Sequence, residues 1–93
     1  MEVHSTAATD AGAVTLQVEK LAGTAAPGSG TLVLDTAFDL KGAANTVVSK
    51  RQKTDFVSAL SARQFSAGDR VGLLTSGTLT SLANVTVVLT FAL

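Results

Sequence analysis

Alternation of apolar and polar side chains in the last third of the chain constrains the fold most strongly. After the turn-forming residues 67–69, Val71 and Leu73 occupy alternate positions, and a second alternating run extends from Asn84 to Leu93. A period of two is the repeat of a β-strand, whose successive side chains point to opposite faces of a sheet. A glycine-containing segment separates the two runs, as a connection between antiparallel strands does. The pattern therefore predicts strands joined by short loops.

The rest of the chain carries the same kind of signal. Residues 13–21 predict a first strand with one apolar and one polar face, and residues 31–41 predict one long strand or a strand with a bend. Residues 46–51 are rich in β-branched side chains and predict a shorter strand. Residues 53–62 stay ambiguous, because Phe56 and Leu60 fit both a strand and a helical turn. In the strands predicted at residues 13–21 and 31–41, one face is apolar and the other is polar. The apolar face contains Val14, Leu16, Val18, Leu32, Leu34, Phe38 and Leu40, and the polar face contains Thr15, Gln17, Glu19, Asp35, Asp39 and Lys41.

About six strands, with turn signals about every 8–12 residues and no long amphipathic helix, predict an all-β fold. We expect a small antiparallel β-sandwich or a jelly-roll-like barrel, formed by residues 13–93. The four phenylalanines fit a core, and Leu79 and Leu82 are expected to fold back over it. Residues 1–12 are small and polar, so we expect an N-terminal arm that is ordered only when it docks on a partner.

The composition indicates more apolar surface than one small core can hide. Of the 93 residues, 46% are hydrophobic and 15% are charged, and the mean hydropathy is +0.40. An average soluble domain has about 25% charged residues. A chain this short buries only a modest share of its surface. We therefore expect subunit contacts, and a homo-oligomer is the common solution.

Charge and cysteine content exclude several classes of function. Seven basic and seven acidic residues give a formal net charge of zero, which argues against a general nucleic-acid binder. The chain contains no cysteine, so it has no disulfide framework and no thiolate metal site. No apolar run approaches the roughly 20 residues of a membrane span. The N-terminus lacks the features of a signal peptide, so we expect synthesis in the cytoplasm of the host cell.

Candidate catalytic and metal-binding residues are few. His4 is the only histidine, and a Ser–His–Asp arrangement would have to use it. Asp35 and Asp39 fit either the solvated face of a strand or a carboxylate pair for a Ca²⁺ ion or for glycoside hydrolysis. Asp69 fits a turn residue. We interpret these residues as structural and expect no catalytic, cofactor or metal site.

The only cluster of positive charge is formed by Lys50, Arg51 and Lys53. Two interpretations stay open for it. The cluster could contact an acidic surface of a partner, or it could guard an edge strand against unwanted pairing.

Five motifs in order resemble a group of short structural proteins of tailed bacteriophages. The resemblance covers about residues 13–93, and the order and spacing of the motifs are more specific than any one of them. The chain departs from the pattern in residues 49–65, which are more charged than the threonine-rich stretch found there. The motifs are V-T-L-Q-V-E at Val14–Glu19, A-P-G-S-G at Ala26–Gly30, D-L-K-G with A-N-T-V at Asp39–Val47, A-G-D-R at Ala67–Arg70 and S-G-T-L-T-S-L-A at Ser76–Ala83.

Such proteins are similar to capsid cement, or head decoration, proteins. The resemblance implies a non-enzymatic β-sandwich on the outside of the assembled phage head, often a trimer at three-fold positions that clamps the major capsid protein. On this hypothesis Glu2, Val3 and His4 belong to an arm that docks on the capsid. The half-apolar last strand, with Val88, Phe91 and Leu93, would form the contact between subunits.

A different class of function is the main alternative. A β-sandwich module on a head fibre or tail could bind a host surface glycan. That reading predicts an exposed aromatic side chain or a Ca²⁺ ion held by Asp35 and Asp39. The absence of Trp and Tyr counts against it.

Overall fold

Antiparallel strands dominate the fold, and there is little helix. The structure is a computed structural model, and it describes residues 1–4, 12–41, 51–52 and 56–92. The prediction of an all-β antiparallel chain is confirmed at this level. The elements are β1 (Glu2–His4), β2 (Thr15–Leu21), β3 (Thr31–Leu32), β4 (Phe38–Asp39), β5 (Arg51–Gln52), α1 (Leu60–Arg63), β6 (Arg70–Ser76) and β7 (Thr86–Val88).

The chain divides into two units. The first unit combines Met1–Val14, Asp39–Thr54 and Gly77–Leu93, and the second combines Thr15–Phe38 and Asp55–Ser76. The first unit therefore contains both N-terminal and C-terminal residues. The division into an arm of residues 1–12 and a domain of residues 13–93 stays a prediction. Among the described strands, one sheet has the order β5-β1-β7, and in the other β3, β4 and β6 all pair with β2.

β2 is the central strand of the second unit. It pairs with β6 along its whole length, from Thr15 opposite Ser76 to Leu21 opposite Arg70. Leu16 and Val18 are buried, as the alternation of this strand predicts. The alternation therefore identified the strand and the burial of these two side chains, but not the burial of Glu19, which it placed on the polar face.

The second predicted strand is bent rather than continuous. β3 pairs with β2, then Leu34 forms an isolated bridge with Phe56, and the chain returns to the sheet at β4. Leu34, Phe38 and Leu40 are buried as predicted, but Leu32 is exposed and Val33 is buried in its place. Of the two alternatives for this run, the structure has the bent one. The bend changes which parity faces the core, so the assignment of Leu32 to the apolar face was wrong.

The side chain of Gln17 fills the gap that this bend leaves beside β2. The backbone N–H of Leu34 donates to Gln17 Oε1 at 3.1 Å, and Gln17 Nε2 donates to the carbonyl oxygen of Leu34 at 3.3 Å. Gln17 Oε1 also accepts from the N–H of Val18 at 2.9 Å. A side-chain amide thus supplies the donor and acceptor that a paired strand would offer to Leu34.

The described part of residues 53–62 contains both alternatives, because Phe56 forms a β-bridge with Leu34 and a helical turn begins only at Leu60. The segment from Leu60 forms one helical turn, in which Ala62 is buried and Leu60 is exposed. Lys20 Nζ donates to the carbonyl oxygens of Ser61 at 2.5 Å and Gln64 at 3.0 Å. A positive charge at the C-terminal end of a helix satisfies carbonyls that lack an intrahelical partner.

β1 is the central strand of the sheet in the first unit. Val3 lies opposite Val87 of β7 and opposite Arg51 of β5, and its side chain is completely buried. Residues 5–11 of the predicted arm lie outside the described residues. None of the helical segments in the described part of the chain reaches the length and hydropathy that a bilayer crossing needs.

The last strand is shorter than predicted. β7 covers only three residues, although the alternation extends from residue 84 to the end of the chain. Val85 is exposed. Phe91, which was expected to fit a core, and Leu79, which was expected to cover it, are exposed as well. Apolar character at alternate positions predicts which side chains share a face, but it does not show that something covers that face.

Candidate interaction surfaces

Exposed apolar side chains are the most conspicuous surface feature of the described residues. Single exposed apolar residues are normal, whereas apolar residues grouped on one element indicate a contact surface. Two sets of sequence neighbours occur, Val71 and Leu73 on β6 in the second unit, and Val85, Val88 and Phe91 on and next to β7 in the first. The exposed large hydrophobic residues are Leu32, Leu60, Val71, Leu73, Leu79, Val85, Val88 and Phe91.

The apolar side chains of β6 lie at the margin of a buried face, where that face becomes exposed to solvent. Leu73 lies directly opposite Val18 in the β2–β6 register, so both side chains point to the same face. Val18 is 1% exposed, whereas Leu73 is 49% exposed. Val71, two residues earlier on the same face, is 40% exposed. The core-facing side of the sheet therefore continues into solvent at β6.

A buried carboxylate anchors the loop between β2 and β3. The Glu19 side chain, which we expected on the polar face, is 1% exposed. Its Oε1 accepts from the N–H of Gly28 at 2.8 Å, and its Oε2 accepts from the N–H of Gly30 at 2.9 Å. A Cβ at Gly72 would lie 2.7 Å from both Glu19 Cγ and Oε1, so this glycine leaves room for the carboxylate. The expectation of a solvated Glu19 was wrong because these two peptide groups replace water as hydrogen-bond donors.

A second charged side chain holds the same loop from β6. Arg70 Nη2 donates to the carbonyl oxygens of Gly23 at 3.2 Å and Ala25 at 2.5 Å. Sequence reasoning placed Arg70 only as the first residue of a strand. The signal for its role was the glycine-rich loop itself, because such a loop leaves backbone carbonyls that need donors.

Replacing Arg70 by methionine is expected to loosen this loop with little effect on global stability. Arg70 is exposed, so we expect a change in the free energy of unfolding within about 1 kcal/mol. Hydrogen exchange should instead become faster at the amides of residues 22–26. Arg63→Met, which removes an exposed arginine from α1, is the control. Equal exchange rates in wild type and Arg70→Met would contradict an anchoring role.

The residues predicted to dock on a capsid lie in β1. Glu2 is half-buried and lies opposite both Gln52 and Val88, and His4 lies opposite Thr86. Val3 has no exposed surface, so in this structure it contacts the interior and not a partner. The structure therefore holds the predicted arm residues in a sheet. Whether this strand docks on a capsid stays a prediction.

The predicted subunit-interface residues are only partly described. Val88 and Phe91 are 42% and 53% exposed, and Leu93 lies outside the described residues. Because Glu2 lies opposite Val88, the structure brings one residue of the predicted arm and one of the predicted interface to the same face of a sheet. The sequence offered no signal for this neighbourhood, because 86 positions separate the two residues.

The basic cluster falls mostly outside the described residues. Lys50 and Lys53 are not among them, and Arg51 is placed only as a backbone position in β5, opposite Val3. Both interpretations of the cluster therefore stay predictions.

The candidate acidic residues make local hydrogen bonds. Asp35 Oδ1 accepts from the N–H of Thr36 at 2.6 Å, and Asp39 Oδ1 accepts from the N–H of Lys41 at 2.8 Å. Asp69 Oδ2 accepts from the N–H of Ser66 at 2.8 Å, as in the predicted turn. Within the described ranges, no group of three or more His, Asp or Glu side chains has an arrangement that could hold a metal ion.

Comparison with models of known protein families, with curated proteins and with solved structures finds no match for this chain.

Proposed function

We propose that this chain is a non-enzymatic structural protein of a phage virion, a decoration subunit that binds the outside of the assembled head. The proposal rests on the sequence resemblance and on one structural observation. That observation is the set of exposed apolar side chains around β7, of which Val88 and Phe91 belong to the predicted subunit contact. The proposal includes a trimer as the oligomer and sandwich or jelly-roll packing of the strands, with which the antiparallel sheets are compatible.

In this function the protein would act by binding to the capsid and not by catalysing a reaction. A protein that binds only the assembled shell stabilises the shell by mass action. Repetition over a symmetric lattice multiplies contacts that are individually weak. Apolar side chains on short strands provide such contacts, because burying apolar surface contributes about 25 cal/mol per Å².

Co-sedimentation with undecorated capsids of the corresponding phage tests the proposal. We expect saturable binding, with density at a repeated lattice position in electron micrographs of the pellet. Val88→Lys should weaken binding by at least about tenfold, the equivalent of 1.4 kcal/mol, because it places a charge in the predicted subunit contact. Thr24→Lys adds the same charge to an exposed loop and should bind as wild type.

Two results would count against the proposal. Absence of saturable binding, with the protein found on a fibre or tail, would favour the glycan-binding adhesion module. Equal loss of binding in Val88→Lys and Thr24→Lys would mean that added charge alone explains the effect, and the contact around β7 would then be wrong.

A further inference from the structure

β6 is the last strand on its side of the sheet in the second unit. It pairs with β2 over all seven residues, and no other described strand pairs with it. Residues 15–38 and 55–76 form this unit, and the structure describes all of them except residue 55. An edge strand presents N–H and C=O groups that can pair with another chain.

The register shows which backbone groups face outward. The N–H of Val33 donates to the carbonyl oxygen of Val18 at 2.9 Å, so the peptide groups of Val18 point toward β3. Leu73 lies opposite Val18, and such a pair exchanges no hydrogen bonds, so Leu73 points its N–H and C=O away from β2. Val71 and Thr75 share this orientation because the strand repeats every two residues.

The same positions also carry the exposed apolar side chains. Along the row Val33–Val18–Leu73, the first two side chains are buried and the last is half exposed. A further strand beside β6 would cover Leu73 as β6 covers Val18. The usual protections of an edge are missing from β6, which contains no proline and no lysine and pairs with β2 without a bulge. Its one charge, on Arg70, is directed to the loop carbonyls of Gly23 and Ala25.

We propose that β6 pairs antiparallel with β6 of a second copy of this chain, about a two-fold axis at Leu73. In this register Leu73 lies opposite itself, and Val71 lies opposite Thr75 of the second copy. Each of these outward-facing pairs exchanges two hydrogen bonds. The apolar side chains of Val71 and Leu73 from both copies then form one patch that continues the buried face of the sheet.

A second copy fits this edge better than an unrelated strand for two reasons. The register about Leu73 satisfies all three outward residues at once and places Arg70 opposite Ser76, so no like charges meet. The formal net charge of the chain is zero, so two copies approach without net repulsion. Seven residues from each copy are far fewer than the roughly 20–30 per side of a standard interface, so the dimer should be weak, with a dissociation constant in the micromolar range or above. The inference does not depend on the proposed capsid function.

A single cysteine provides the first test, because the chain has none of its own. Leu73→Cys places the thiols of two copies opposite each other, with Cα atoms about 5.5 Å apart, within the range of a disulfide. Leu32→Cys is the matched control, since Leu32 is 48% exposed and lies in the same sheet. Under mild oxidation we expect several-fold more covalent dimer from Leu73→Cys. Equal yields from the two variants would overturn the proposal.

Sedimentation equilibrium provides the second test. Leu73→Lys places two like charges opposite each other at the axis and should raise the dimer dissociation constant at least about tenfold, whereas Leu32→Lys should leave it unchanged. A wild-type protein that stays monomeric up to millimolar concentration, or that forms only a trimer unaffected by Leu73→Lys, would overturn the proposal. The proposal would also be overturned if the wild type is monomeric and Leu73→Lys loses capsid binding. In that case β6 would pair with a strand of the capsid. A dimer that binds no capsid would support this inference and contradict the proposed function.

Discussion

Replacing Gly77 by alanine is expected to lower the free energy of unfolding by about 3 kcal/mol, a large part of the stability of a small domain. Two physical causes add at this position. Gly77 has φ +90°, a backbone conformation that L-residues adopt only with strain. An added Cβ would also collide with the carbonyl oxygen of Ala13 and lie 3.2 Å from Val14 Cα. Both neighbours are backbone atoms, which cannot rotate away as a side chain could.

Substitution of Gly68 by alanine is the control that distinguishes the conformational cost from the cost of the collision. Gly68 has the same φ of +90°, but an added Cβ would have no heavy atom within 4 Å. Gly68→Ala should therefore show the conformational cost alone, about 1 kcal/mol. Urea unfolding of wild type and both variants measures the difference. If Gly68→Ala and Gly77→Ala lose equal stability, the close approach of Ala13 to Gly77 has no energetic weight.

Removal of the Glu19 carboxylate is the second substitution with a large expected effect. Glu19→Ala should lower the free energy of unfolding by about 2–3 kcal/mol, because the N–H groups of Gly28 and Gly30 lose a charged acceptor. Glu19→Gln should recover only part of this loss. Its amide keeps one oxygen as an acceptor, but its NH₂ group would face one of the two backbone donors.

Hydrogen exchange gives this prediction a local readout. The amides of Gly28 and Gly30 should exchange faster in Glu19→Ala than the loss of global stability alone explains. Asp69→Ala is the control, since Asp69 also accepts from a backbone N–H but lies in an accessible turn. We expect it to cost about 1 kcal/mol. Unchanged protection of Gly28 and Gly30 in Glu19→Ala would argue against the anchor.

Local patterns predicted the elements that depend only on neighbours in sequence. The alternation in residues 13–21 identified β2 and the burial of Leu16 and Val18. The turn before β6 followed from Gly68, which has a positive φ, and from Asp69, which bonds the backbone of Ser66. In each case the backbone conformation follows from the chemistry of a few adjacent side chains.

Contacts between distant parts of the chain were not predictable in this way. Alternation placed Glu19 on the solvent-exposed face of β2. It contains no information that the N–H groups of Gly28 and Gly30, in a loop, donate to the Glu19 carboxylate. The interpretation of the four phenylalanines as core residues was likewise wrong for Phe91, which is exposed. A pattern of period two defines a face of a strand, and only the tertiary structure defines what that face contacts.

The amide of Gln17 has a consequence for how this chain can change in length. Gln17 bonds both backbone groups of Leu34, so these groups have hydrogen-bond partners before the chain bends outward through residues 35–37. These three residues are exposed, and β4 begins immediately after them. An insertion at this bend would lengthen a surface loop without breaking the ladder of β2, at an entropic cost that grows slowly with loop length. The bend is therefore the natural position in this fold for displaying a foreign peptide.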